Sequence, residues 1–271
     1  MKKTSILFAF IFLSFSINSF AKNEPYLGQF LIGTIGKFGL GTEITLPKGE
    51  WLVAGVSTTN GGIRWAELVL IQAELDKIKT ILYIKYPRKL EKTISNMAGG
   101  DHKQGWTRAK HVDDNTCDDY SMQNSNFNEV NFTKRFTSRI FEGTCISVYA
   151  INKINPGTKD RLEVWRMTHE FINRSNLEYP NSLVFVDNTY FSLNNVVHSY
   201  FAINPEFQSI ASNKNILFKD SDWHKYNINS HLKKKSYMDK VTYIGRQVLE
   251  DNQVNFLQER ALNFLPYGEL Y

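Results

Sequence analysis

Cysteine is nearly absent from this chain, with two residues in 271, which excludes a disulfide-dense scaffold. A chain of this length buries enough surface to need neither metals nor dense cross-links for stability. An excess of charge of one sign is missing as well. The net charge is +5, two of those charges belong to Lys2 and Lys3, and the rest are too dispersed to mark a nucleic-acid partner. There is no internal repeat and no low-complexity tract. After the first residues, no apolar run approaches the roughly 20 residues that span a bilayer.

The first residues have the grammar of an export signal. Lys2 and Lys3 give a positive start, Ile6 to Phe15 is an apolar run broken only by Ser14, and Ser19-Phe20-Ala21 places small residues where a signal peptidase cuts. The expectation is a signal peptide over residues 1–21, cleaved after Ala21, with residues 22–271 forming a single secreted domain and no transmembrane segment in the mature chain. The dilysine start resembles bacterial leaders, so a periplasmic or secreted location is expected. In that oxidising space the even pair Cys117 and Cys145 is expected to form a disulfide. Closing a loop of about 28 residues would contribute roughly 3 to 4 kcal/mol in the chain-entropy model.

Patterning predicts an α+β fold: an N-terminal antiparallel β-meander, a disulfide-tethered middle loop and a mixed C-terminal half. The β-rich part covers residues 28–86. Thr42, Ile44 and Leu46 alternate with polar partners, Trp51 to Thr59 leads to Asn60-Gly61-Gly62, and Ile63 to Ala73 and Ile78 to Tyr86 reverse at Asp76-Lys77. Asn-Gly between apolar runs is a strong hairpin signal. These four segments read as a four-stranded meander that ends at Pro87. Residues 93–135 sustain no period and read as an irregular loop, after which Cys145 leads a strand-like run, Ile146 to Ile151.

Helices are expected in the part from 158 to 271. Thr158 can cap a helix over 158–176 with the stripe Leu162, Trp165, His169 and Ile172, and Glu170 and Arg174 stand four apart on another face. Ser182 to Val186 and Val196 to Ile203 read as strands, the second stopped by Asn204-Pro205. Ser236 and Asp239 resemble a capping box for a helix over 236–263, which Asp251-Asn252-Gln253 is expected to break.

No stretch carries a complete chemical motif. Asp113-Asp114-Asn115-Thr116-Cys117-Asp118-Asp119 gathers four carboxylates, yet it lacks the glycine and the bidentate glutamate of a calcium loop and reads as a solvated acidic loop. His169-Glu170 begins like a zincin helix, but Asn173 stands where the second histidine belongs, which leaves His169 as a core imidazole. Gly55-Val56-Ser57-Thr58-Thr59 lacks the second glycine of a nucleophile elbow. Lys85, Arg88, Lys89 and Lys92 with Tyr86, and separately Lys233 to Lys235, form short basic clusters that read as solvated surface.

These absences favour a secreted or periplasmic soluble protein of the non-catalytic binding or envelope kind over an enzyme. The partner would be a protein, glycan or small-molecule ligand, with no nucleic acid and no cofactor or metal. The ligand-contacting residues are sought on the tethered loop, at His102, Trp106, His111, Asp113, Asp119 and Tyr120, because residues on such loops often carry function. The alternative is an envelope-polymer hydrolase whose carboxylates, such as Asp113 or Asp119, meet only in the fold.

Overall fold

The computed structural model describes residues 25–38, 42–59, 64–89, 132–139, 142–152, 163–191, 196–210, 220–223 and 227–271. The expected export leader, most of the expected irregular loop, Thr158 and Leu162 lie outside them. The described residues are mixed α+β and dominated by one large antiparallel sheet. Its strands are β1 (Phe30–Leu31), β4 (Trp51–Thr59), β5 (Arg64–Glu74), β6 (Lys77–Lys89), β7 (Phe132–Arg139), β8 (Glu142–Asn152), β9 (Ser182–Phe191) and β10 (Val196–Ile203). They lie side by side in the order β1-β4-β5-β6-β10-β9-β8-β7.

The expected four-stranded meander loses its first member. β3 (Thr42–Thr45) joins β2 (Thr34–Phe38) and β11 (Leu262–Asn263) in a separate three-stranded sheet, so β4, β5 and β6 alone run as a meander. Turning of the chain at Pro47-Lys48-Gly49 explains the split: Gly49 has φ +108°, and the Trp51 indole N–H donates to the Pro47 carbonyl at 3.0 Å. β6 also continues through Pro87 instead of ending there. Beyond Lys85 it no longer pairs with β10, and its register with β5 shifts near Pro87, so the missing N–H removes little.

The β5–β6 reversal uses two non-glycine residues in the left-handed region, Leu75 at φ 51° and Asp76 at φ 61°. Each costs roughly 1 kcal/mol there, and Leu75 is 89% exposed, so its side chain offsets nothing. Replacing the pair by Asn-Gly is expected to stabilise the protein by about 1 kcal/mol, raising Tm by about 2 to 4 °C in a thermal melt. An unchanged or lower Tm would show that the turn is not strained.

Helix α1 (Glu163–Arg174) lies on one face of the sheet against β4 and β5, and α2 (Leu232–Leu257) lies on the other against β8 and β9. Two apolar layers result. Ala54, Val69, Ile71, Ile81, Val164 and Ile172 fill the α1 side, and a larger set including Trp51, Leu70, Phe201, Val241 and Tyr267 fills the α2 side. The face of α1 turned to the sheet is centred on Val164, Thr168 and Ile172; Trp165 and His169, expected on the buried stripe, are half-buried beside it. Glu170 pairs with both Arg166 and Arg174, at 2.9 and 3.8 Å.

α2 begins four residues before the expected capping box and is not broken at Asp251-Asn252-Gln253. Asn252 explains the continuity. Its fully buried side chain accepts from the Asn263 N–H at 2.6 Å and donates to the Asn263 carbonyl at 3.0 Å. The amide thus pairs with β11 as a neighbouring peptide group would, and this residue is polar for reasons of docking. Among the described residues there is no disulfide. Cys117 lies outside them, and Cys145 is described as a backbone position of β8 opposite Arg135 and Thr189.

Candidate functional site

Polar residues inside otherwise apolar strands are the site's raw material. Glu67 interrupts Trp65-Ala66 and Leu68-Val69-Leu70, Asp187 follows Val184-Phe185-Val186, and His198 follows Val196-Val197. Because side chains alternate between faces, pairing register decides which of them meet. The register places Ser57, Glu67, Lys85, His198 and Thr189 opposite one another in succession across β4, β5, β6, β10 and β9, a single row on the α1 side. By backbone register the row continues through Cys145 and Arg135. Two residues along each strand lies a second row, Gly55, Val69, Tyr83, Tyr200 and Asp187. The next row, Ile71, Ile81, Ala202 and Phe185, is apolar.

Glu67 anchors one half of the cluster with a side chain fully shielded from solvent. Its carboxylate accepts from the Ser57 hydroxyl at 2.9 Å and the Tyr83 hydroxyl at 3.3 Å, and it pairs with the Lys85 ammonium at 3.0 Å. A buried carboxylate is tolerated only when paired and hydrogen-bonded in this way. Lys85, expected as part of a solvated basic cluster, is instead the counter-ion of a buried acid, and its ammonium also lies 5.3 Å from the centre of the Trp65 ring.

Asp187 and His198 form the other half, with Oδ1 and Nε2 2.7 Å apart. The edge of the His198 ring meets Tyr200 at a centroid distance of 4.4 Å, and Tyr83 stacks between Tyr200 at 5.0 Å and Trp165 of α1 at 5.5 Å. Burial, and then the Glu67 carboxylate, raise the Tyr83 phenol; burial, and then Asp187, raise Tyr200 and Tyr149. All three remain protonated donors at neutral pH. Farther along α1, the half-buried His169 contacts the Tyr179 hydroxyl through Nδ1.

Side-chain exposure rises from zero at Glu67 to 16% at His198 and 26% at Lys85, which makes those two the groups an incoming molecule would meet. An ammonium and an imidazole backed by carboxylates, with rings on one flank, can exchange hydrogen bonds with a polar ligand and pack against its apolar parts. Among the described residues no three His, Cys, Asp or Glu side chains come together as a metal site, and no helix is long and apolar enough to cross a membrane.

The loop residues expected to touch a ligand, His102, Trp106, His111, Asp113, Asp119 and Tyr120, lie outside the described residues. The cluster on the sheet was not anticipated, although a single polar residue within an apolar strand was its visible signal. No family model and no curated protein matches the chain. Among solved structures it is similar to the crystal structure of the C-terminal domain of Yurk from Bacillus subtilis subsp. subtilis str. 168, at 11% identity, covering 57% of this chain and 88% of that one with a TM-score of 0.24, too remote a likeness to carry an argument about the site.

Proposed function

We propose that this chain is an exported, non-catalytic binding protein of the periplasm or extracellular space, and that the row around Lys85 and His198 contacts its ligand. The observation that carries the reading is the cross-strand line Ser57, Glu67, Lys85, His198 and Thr189 on the face that α1 only partly covers. A mere packing face would be apolar there, as it is two rows away. Paired charges beside stacked rings suit a ligand that is polar at its edges and apolar on its faces, which is the chemistry of a saccharide.

A second reading, an envelope-polymer hydrolase, draws on the Asp187–His198 pair. A carboxylate holding an imidazole is the arrangement that positions a general base. Both readings meet in one experiment. The exported protein is titrated with N-acetylglucosamine oligomers and with a soluble peptidoglycan digest, and its tryptophan fluorescence and any new reducing ends are followed. Binding predicts a saturable fluorescence change, weakened about tenfold or more in Lys85→Met and His198→Ala, with no reducing ends formed. Reducing ends lost in His198→Ala would establish the hydrolase instead, and equal titrations for wild type and both variants would remove the row from the ligand surface.

A further inference from the structure

On the opposite, α2-facing side of the sheet, a pair of polar residues lies in the middle of an apolar layer. Asn188 of β9 and Ser199 of β10 stand directly across from each other, between Ile146 of β8 and Ile84 of β6. Both polar residues are 1% exposed. The Asn188 amide donates to the Tyr267 hydroxyl at 2.7 Å, but among the described residues Asn188 Oδ1 and Ser199 Oγ have no hydrogen-bond partner. Turning the amide over only exchanges which of its ends is unpaired. The Tyr267 hydroxyl accepts from Asn188, which leaves its own proton to be donated.

Buried polar groups in native proteins are almost always hydrogen-bonded, through ordered water where protein atoms cannot reach. Facing side chains in an antiparallel pair have Cβ atoms about 4.5 to 5.5 Å apart, a spacing that one small bridging molecule can fill. The three groups complement one another: Asn188 Oδ1 needs a donor, the Tyr267 hydroxyl needs an acceptor, and the Ser199 hydroxyl can serve as either. The surroundings are apolar, with Ile84, Ile146 and the Phe201 ring stacked on Tyr267 at 4.1 Å, and this excludes an ion. We propose that one water molecule is a resident part of this fold, bridging Asn188, Ser199 and Tyr267 and so joining the C-terminal segment to the middle of the large sheet. The site is independent of the ligand row, which lies on the other face.

Two measurements test it. A high-resolution crystal structure is expected to show one ordered water within hydrogen-bond distance of Asn188 Oδ1 and Ser199 Oγ. Well-ordered side chains with no density between them would overturn the proposal. The second is a double-mutant cycle of Ser199→Ala and Tyr267→Phe, read as Tm. The two residues share no hydrogen bond, so a common water predicts that the double variant loses clearly less than the sum of the single losses. Additive losses would show that no molecule connects them.

Discussion

Above pH 10 the protein is expected to unfold over a narrow pH range. Seven tyrosines, at positions 83, 149, 190, 200, 237, 267 and 271, have phenols raised above the ordinary value of 10.0, in every case chiefly by burial. The unfolded chain ionises these groups near pH 10 while the folded chain keeps them neutral. Their contribution to stability is therefore fully present below pH 10 and is lost as pH rises toward the folded-state values. Each adds a slope of about 1.4 kcal/mol per pH unit, so seven together exhaust a typical stability of roughly 5 to 15 kcal/mol within about one to two pH units. Tyrosinate absorbance and far-UV circular dichroism should change together in an alkaline titration. Ionisation of most tyrosines with the circular dichroism intact would contradict the packing of both layers.

Substitution of Gly55 by alanine is expected to destabilise the protein by about 3 kcal/mol, at the upper end of overpacking costs. A Cβ built on Gly55 of β4 would lie 2.2 Å from Thr168 Oγ1 and 2.8 Å from the Val164 carbonyl oxygen of α1. The second contact is with backbone, so no rotamer change relieves it and the helix itself must move. Thr168 cannot turn aside freely either, because its hydroxyl donates to the Val164 carbonyl at 2.7 Å. The displacement would pull Trp165 from Tyr83, so tryptophan fluorescence should change along with the denaturation midpoint. Adding Thr168→Ala should restore only part of the loss. Full restoration would mean that the side chain alone sets the helix-to-sheet distance, and an unchanged midpoint for Gly55→Ala would refute the close approach.

Strands were the legible part of this chain, and their partners were not. Trp51 to Thr59 and Val196 to Ile203 can be read off their apolar content and breakers, and β4 and β10 occupy those spans. Patterning missed the second half of β9 because Asp187, Asn188 and Thr189 are polar on both faces, one supplying the ligand row's neighbour and the next the buried pair with Ser199. It broke α2 at Asn252, whose polarity serves a contact with Asn263 that no local signal announces. The candidate site was illegible for the same reason. Ser57, Glu67, Lys85, Asp187 and His198 are scattered along the chain, and only strand order and register bring them together. Residue chemistry alone pointed to the acidic and aromatic loop instead.

The small sheet joins distant parts of the polypeptide: Leu262 and Asn263 lie beside Ile44 and Thr45, which in turn lie beside Ile35 and Thr34. Ribosomes make a polypeptide from its amino end, so Ile44 must wait for Leu262, a neighbour made much later. Until then that edge has bare peptide groups open to any passing strand. The small sheet can thus close only once Leu262 and Asn263 have been made, and holding factors that shield the waiting edge should matter more for yield than any that speed the meander.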